Sequence, residues 1–291
     1  MDIQSITASI KAKGMQWVAM KNEISVLDAT ARRLLLGCVQ GEGEVSTEEL
    51  EVVARANLEY FTASLKAAKV SVTTLPSRFD LRNVNGQNFI TPIKKQLDCG
   101  SCVAFGVLAA VEGAMRYPGN PSFEPDLSEA DLFFCLAAKQ GRTCSTGWNI
   151  PAALSCVQAP GVVDEACYPY NLSQQGCSFL CPNASGRKQK ISSYKKYTTI
   201  TDMQKALNDD GPLVTMFNVY DDFFSYSSGV YEYSTGPLAG GHCVCCVGYD
   251  DENRCWIMKN SWGPGWGEQG FFRIRYGQCG IDAAMYSVHP R

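Results

Sequence analysis

Gln96-Leu97-Asp98-Cys99-Gly100-Ser101-Cys102-Val103-Ala104-Phe105 reads as a loop that turns straight into a helix, with Cys102 in the first turn. From Val103 to Met115 the chain is apolar on nearly every face, interrupted by Glu112, so this helix belongs inside the protein. Tyr117-Pro118-Gly119-Asn120-Pro121 ends it, because two prolines and a glycine forbid continuation. A thiol at the start of a buried helix faces free backbone N–H groups and the positive end of the helix dipole. Both favour thiolate, the attacking form in acyl transfer. Taken alone, Cys102 would read more readily as a core cysteine or half of a disulfide.

Two further stretches reverse that preference. Ala239-Gly240-Gly241-His242-Cys243-Val244 holds one of only two histidines, at the entrance to an apolar β-type run; His289, near the end of the chain, reads as solvated. An imidazole at position 242 can take the Cys102 proton and return it to a leaving amine. Ile257-Met258-Lys259-Asn260-Ser261-Trp262-Gly263-Pro264-Gly265-Trp266-Gly267 supplies a side-chain amide, Asn260, to hold the ring in the right tautomer, and two indoles, Trp262 and Trp266, to shield that bond from water.

With these residues the chain resembles the papain-like cysteine peptidases. Their signature Cys-Gly-Ser/Ala-Cys-Trp/Tyr is matched by Cys99-Gly100-Ser101-Cys102-Val103, with valine in place of the aromatic. The family places its histidine and asparagine ~130–150 residues after the nucleophile; here the separations are 242 − 102 = 140 and 260 − 102 = 158. Gln96, six residues before Cys102, matches the family's oxyanion-binding glutamine, and the Cys102 N–H would be the second donor. The resemblance runs from about Leu75 to the C-terminus. It includes Pro76-Ser77-Arg78-Phe79-Asp80-Leu81-Arg82, Leu127-Ser128-Glu129-Ala130-Asp131-Leu132 and Tyr168-Pro169-Tyr170.

Composition agrees with a globular enzyme. Of 291 residues, 19% are charged and 11% aromatic, which argues against disorder. A net charge of −3 gives no reason to expect a nucleic-acid partner, and no apolar run approaches the ~18 residues of a membrane span. Fourteen cysteines argue for an oxidising compartment, hence a secreted or lysosome- or vacuole-like protein. Lys11, Lys13 and Gln16 interrupt any signal-peptide pattern in the first twenty residues. Asn171-Leu172-Ser173 and Asn183-Ala184-Ser185 are sequons, as readily chance tripeptides as glycan sites.

Residues 1–74 differ from the rest. Ile3, Ile6 and Ile10 lie at helical spacing. Asp28 caps a short helix through Leu36 that Gly37 stops. Ser46 and Glu49 form a capping box, and Leu50, Val53, Leu58, Phe61 and Leu65 give the helix after it an apolar stripe that needs a cover. The functional reading is a helical prosegment lying on the peptidase and blocking its cleft, with a cleavage zone at Ser71 to Leu75. It lacks the interspersed motifs usual in family prosegments. The alternative is a helical elaboration with no regulatory role.

The expected fold is α+β: a papain-like peptidase domain over 75–291, with a helical lobe at about 95–187 and a β-barrel-like lobe at about 188–291. Helices are predicted from Glu129 to Ala138, capped by Ser128 with Asp131; from Trp148 to Gln158; and from Thr201 to Asn208, boxed by Gln204. Strands are predicted at Ile191–Ile200, Pro212–Val219, His242–Tyr249, Arg254–Lys259 and Phe271–Tyr276. The resemblance implies disulfides Cys99–Cys144 and Cys135–Cys177; a further pair is expected among Cys156, Cys167 and Cys181. Cys243, Cys245 and Cys246 read as core residues or disulfide halves, not as a zinc site. Cys38, the only cysteine of its segment, reads as a free thiol, and the state of Cys279 is open.

The resemblance implies an endopeptidase that forms a Cys102 thioester, with His242, Asn260 and Gln96 as catalytic partners. Gly147 would pair with an extended substrate through its backbone. Trp148, Cys243 and Ala284 would line an apolar pocket for the second residue before the cut, with Trp262 beside the site. No metal or cofactor is called for. The expected partners are peptide or protein substrates and the chain's own prosegment, on a monomer. A non-catalytic binding protein and a transamidase on the same fold are the rivals.

Overall fold

The computed structural model describes residues 2–67 and 75–291; all of the expected cleavage zone except Leu75 lies outside the described residues. In chain order the helices are α1 (Ile3–Ala12), α2 (Ala29–Arg33), α3 (Thr47–Ala67), α4 (Cys102–Arg116), α5 (Ile150–Gln158) and α6 (Ile200–Asp209). The strands are β1 (Val18–Ala19), β2 (Arg78–Asp80), β3 (Ile191–Tyr197), β4 (Leu213–Tyr220), β5 (Tyr226–Ser228), β6 (Val230–Tyr231), β7 (Leu238–Asp250), β8 (Cys255–Lys259), β9 (Phe271–Arg275) and β10 (Met285–Pro290). This is the expected α+β content.

Helix α4 is the spine of the molecule. Every residue from Cys102 to Ala114 is buried, Glu112 included. One side packs on β7, the 13-residue strand that pairs with β4, β8 and β2 at the centre of the larger sheet, ordered β3-β10-β4-β7-β8-β9-β6. The other side packs on α5. Three disulfides staple the helical lobe: Cys99–Cys144, Cys135–Cys177 and Cys167–Cys181. The first two are the pairs implied by the resemblance, and the third joins two of the three remaining candidates. Cys156, Cys243, Cys245, Cys246 and Cys279 are buried free thiols.

Several boundaries move, each for a local reason. Asp28 does cap α2, its carboxylate accepting from Ala31 N–H at 2.9 Å, but the helix stops at Arg33 rather than Leu36. Leu35 and Leu36 N–H close a tighter turn on Arg32 and Arg33, and from Gly37 the chain makes its hydrogen bonds elsewhere. Ser128 Oγ accepts from Asp131 N–H as expected, yet the turn continues as a π-helix, Asp131–Ala137, whose first carboxylate pairs with Lys188 and accepts from Val163 N–H instead of closing a box. Thr199 caps α6 together with Asp202, two residues ahead of the expected Thr201–Gln204 box. Gln204 instead turns inward to Asp251 and Tyr276. His289 is part of β10, with its ring beside Ser193 and Asp210.

The N-terminal segment lies across the peptidase fold rather than beside it. Helix α3 starts with the expected reciprocal box: Glu49 N–H donates to Ser46 Oγ and Ser46 N–H to Glu49 Oε2, both at 3.2 Å. Its apolar stripe is covered by the turn before β10. Leu50 sits over Gly280, Leu58 over Gly277, and the Phe61 ring meets Tyr276 edge-on at 5.9 Å. Leu65 is not part of that contact and is 49% exposed. Strand β1 pairs with β5, and Trp17 packs against Tyr226 and Tyr231. Between α2 and α3 the chain crosses the end of α4, over Cys102.

Candidate active site

Cys102 is the first residue of α4, positioned by the loop that the Cys99–Cys144 disulfide ties down. Its thiol is free and fully buried. Gly37 N–H points at its sulfur from 3.4 Å. The expectation of a thiolate at this helix start does not hold in this state. Burial pushes the Cys102 thiol up to about 12, against the backbone N–H groups of Cys243, Gly37 and Val103, which pull it down. Taking the thiolate out of water thus outweighs what a helix terminus supplies.

His242 enters on β7 from the opposite lobe, with 0% of its surface exposed. Its Nε2 lies 2.8 Å from Asn260 Oδ1. That oxygen also accepts from Ser261 N–H at 2.8 Å, which fixes the amide so that Nε2 carries the ring proton. Nδ1 is thereby left as the basic nitrogen, and it has no hydrogen-bond partner. Trp262 covers the ring at 4.8 Å between centroids and Trp266 meets Trp262 edge-on at 4.9 Å, the two indoles the sequence placed here. Burial pushes the imidazole down to about 4; the Asn260 amide and the nearby Leu35 carbonyl work the other way. Thiol and imidazole are therefore both neutral here, and the ring does not bond the sulfur.

Gln96 is buried and aimed into the same place. Its Oε1 accepts from Ser261 Oγ at 2.7 Å, and its Nε2 donates to Cys99 O at 2.8 Å and to Leu35 O at 3.1 Å. A peptide carbonyl from the N-terminal segment thus already occupies the donor that the resemblance assigns to an oxyanion.

Residues 35–39 fill the cleft: Leu35 and Leu36 close the last turn after α2, and Gly37 to Val39 run on from it with Cys38 in a β-bridge. Trp148 N–H donates to Gly37 O at 2.8 Å and Val39 N–H to Trp148 O at 2.9 Å, a parallel bridge; Cys38 N–H donates to Gly241 O at 3.1 Å on the other wall. The backbone pairing expected of Gly147 is therefore made by Trp148. Gly147, at φ +61°, contributes clearance: a Cβ there would sit 2.1 Å from Gly37 O. Gly37 and Gly241 are equally tight, their would-be Cβ atoms 2.0 Å from Gly100 O and 2.3 Å from Cys38 O. Trp148 and Cys243 flank Cys38. Ala284 lies at the start of β10, two strands from β7, its carbonyl accepting from Thr215 Oγ1.

Sequence reasoning brought Cys102, His242, Asn260, Gln96, Trp148 and Trp262 together, but missed Ser261 and the whole of 35–39. Gly240-Gly241 before the histidine was the available signal, because paired glycines in a strand mark a close backbone approach.

Comparison with known proteins agrees with this geometry. A model of the papain family of cysteine proteases matches residues 75–289. Cathepsin B-like CP3 of Giardia intestinalis is 34% identical over 232 residues, 76% of this chain and 76% of that protein. Cathepsin B-like cysteine proteinase 3 of Caenorhabditis elegans is 30% identical over 297 aligned positions, 91% of this chain and 76% of that one. Among solved structures, proCathepsin B S9 from Trypanosoma congolense superposes with a TM-score of 0.79 at 21% identity, covering 100% of this chain and 99% of that one. Procathepsin L 3 of Tenebrio molitor larval midgut gives 0.73 at 24% identity, over 99% and 87%. The fold is that of a papain-like proenzyme along its whole length, and the chain belongs to the papain family of cysteine proteases.

Proposed function

We propose that the chain is the latent precursor of a cysteine endopeptidase, with residues 1–74 as an intramolecular prosegment. The observation that carries this is the peptide backbone of residues 35–39 lying on the catalytic atoms, with its Leu35 carbonyl on the Gln96 amide and its Gly37 N–H on the Cys102 sulfur. Once that segment leaves, water and substrate enter, Cys102 Sγ gives its proton to His242 Nδ1, and the two become an ion pair. The thiolate attacks a substrate carbonyl. Gln96 Nε2 and the Cys102 N–H hold the oxyanion, and His242 returns the proton to the departing amine. Water then cleaves the thioester with His242 as base. Asn260 and Trp262 keep the ring in the working tautomer throughout.

The buried apolar surfaces of Trp148 and Cys243, with Ala284 at the far side, support a preference for a bulky apolar side chain at the second position before the cut. Only two histidines occur, and His289 is committed to β10, so no histidine-bearing loop is available to anchor a chain end; this supports internal cleavage. Three disulfides support maturation in an oxidising compartment. No helix among the described residues is long and apolar enough to cross a membrane.

The test is Cys102→Ala beside the unaltered chain, both cut between residues 67 and 75 by an added protease. Peptide hydrolysis should fall by on the order of 10⁶-fold. Undiminished turnover would end the proposal, amide synthesis in preference to hydrolysis with an added amine would indicate a transamidase, and exclusive dipeptide release would refute the endopeptidase assignment.

A further inference from the structure

Cys38 is the only cysteine of the first 74 residues, and the fold buries it in the cleft at 5% exposure. Its backbone is held on both sides: its own N–H donates to Gly241 O at 3.1 Å, and the next residue's N–H donates to Trp148 O at 2.9 Å. Two residues along β7 from Gly241 is Cys243, also buried and free. The Cys38 backbone presses on this strand, a Cβ at Gly241 standing 2.3 Å from Cys38 O, and the two thiols are near enough for each to act on the other. Cys243 Sγ is in turn wedged against Gly106, one turn into α4, where a Cβ would lie 2.6 Å from it. A third thiol, Cys102, lies beside both, but its sulfur is taken up by Gly37 N–H. The two thiols that meet belong to different halves of the precursor, one to the covering segment and one to the wall it covers.

We propose that Cys38 and Cys243 are a reducible latch, which when oxidised bonds the N-terminal segment covalently across the cleft. The proposal rests on the reading of that segment as a prosegment. The oxidant is a disulfide compound, RSSR, the class that exchanges with thiols wherever the chain's three other disulfides form. Burial holds the Cys243 thiol well above its usual range, so the closed pair does not start the exchange. The first step belongs to the partly opened chain. Cys38 thiolate attacks RSSR, forming Cys38–S–SR and releasing one RSH after protonation. As the segment docks, Cys243, passing its proton to solvent, displaces the second RS group as RSH and closes Cys38–S–S–Cys243. Reduction by two thiols runs the sequence backwards. The same reducing conditions keep Cys102 as a thiol, so the cleft opens only where the nucleophile is usable.

The experiment uses the full-length chain equilibrated in glutathione buffers from fully reduced to fully oxidised, then alkylated, digested and analysed by mass spectrometry. The expected result is a Cys38–Cys243 linked peptide in the oxidised buffers and its loss in the reduced ones. After cleavage between residues 67 and 75, the N-terminal fragment of the oxidised protein should stay attached on a non-reducing denaturing gel. It should separate on adding reductant, and separate without it in Cys38→Ser. Both thiols alkylated in every buffer, or Cys38 found linked to Cys102, would overturn the latch. If Cys38→Ser does not fold, the linked peptide in the unaltered chain still decides. Loss of the linked peptide with hydrolysis still abolished by Cys102→Ala would sink the latch and leave the peptidase reading intact.

Discussion

Gly37 has no room for a side chain. A Cβ would stand 2.0 Å from the Gly100 carbonyl oxygen, and backbone, unlike a flexible side-chain tip, cannot swing away. Gly37→Ala should therefore cost the docked segment about 1–3 kcal/mol of overpacking, raising the open population roughly 5- to 150-fold. The expected outcome is a matching rise in hydrolysis of a small peptide substrate by the uncleaved full-length protein at neutral pH. Unchanged latency would show that the segment does not need this approach. At this scale the sequence was informative wherever a motif fixes the spacing: Cys102, His242, Asn260 and Gln96 were all named from their motifs and lie together around the cleft. It was uninformative about protonation. Thiolate at a helix start follows from the dipole, but complete burial under residues 35–39 reverses it, and nothing local to Cys102 says that the helix start is covered.

Residues 35–39 cover the cleft as one short segment, and its hold there should depend on pH through His242. In the covered state the ring titrates near 4 rather than at 6.5, and no charged side chain contributes to that shift. Between those values the uncovered form binds a proton that the covered form refuses. In Cys102→Ala, where no thiolate can hold the imidazolium, the covered state's advantage is therefore complete above about 6.5 and falls about tenfold per pH unit as pH drops towards 4, roughly 300-fold in all. Amide hydrogen exchange at Gly37, Cys38 and Val39 in full-length Cys102→Ala, corrected for intrinsic rates, should show this slope. His242→Gln should flatten it, and a flat profile in both proteins would remove His242 as the trigger. Long periodic elements such as α3 were legible because their own side chains carry the pattern. Strands β1, β5 and β6, of two or three residues, were not, since only their partners define them. The stretch after Asp28 read as helix through Leu36 because leucines suit a helix; Leu35 and Leu36 N–H do turn back on Arg32 and Arg33, but the Leu35 carbonyl goes to the Gln96 amide, sixty-one residues away, and the helix stops.

The two lobes were legible as a helical stretch followed by a β-rich one, but the contacts that join them were not. β2 and the loop after it precede α4 in the chain yet belong to the sheet, pairing with β7. Glu112, noted only as an interruption in an apolar helix, is the hub of the join. It is 1% exposed and accepts from Thr91 Oγ1 at 2.6 Å, Lys94 Nζ at 3.1 Å and Leu127 N–H at 2.8 Å. Thr91 in turn accepts from Lys259 Nζ of β8 at 2.9 Å, next in the chain to Asn260. The carboxylate thus ties helix, loop and sheet at the floor of the cleft. Lys259 is fully enclosed; burial lowers its pKa, and the Glu112 charge is the largest influence raising it. Removing that charge leaves an ammonium with one hydroxyl for company and strips Leu127 N–H of its acceptor. Glu112→Ala should cost about 3–5 kcal/mol, as breaking a buried pair from one side does. In thermal unfolding that is a fall in Tm of roughly 6–15 °C. Glu112→Gln keeps the shape and acceptor oxygen but not the charge, so it should fall between the two. A Glu112→Ala protein melting within about 2 °C of the parent would mean that the lobes are held by apolar packing of α4 on β7 alone.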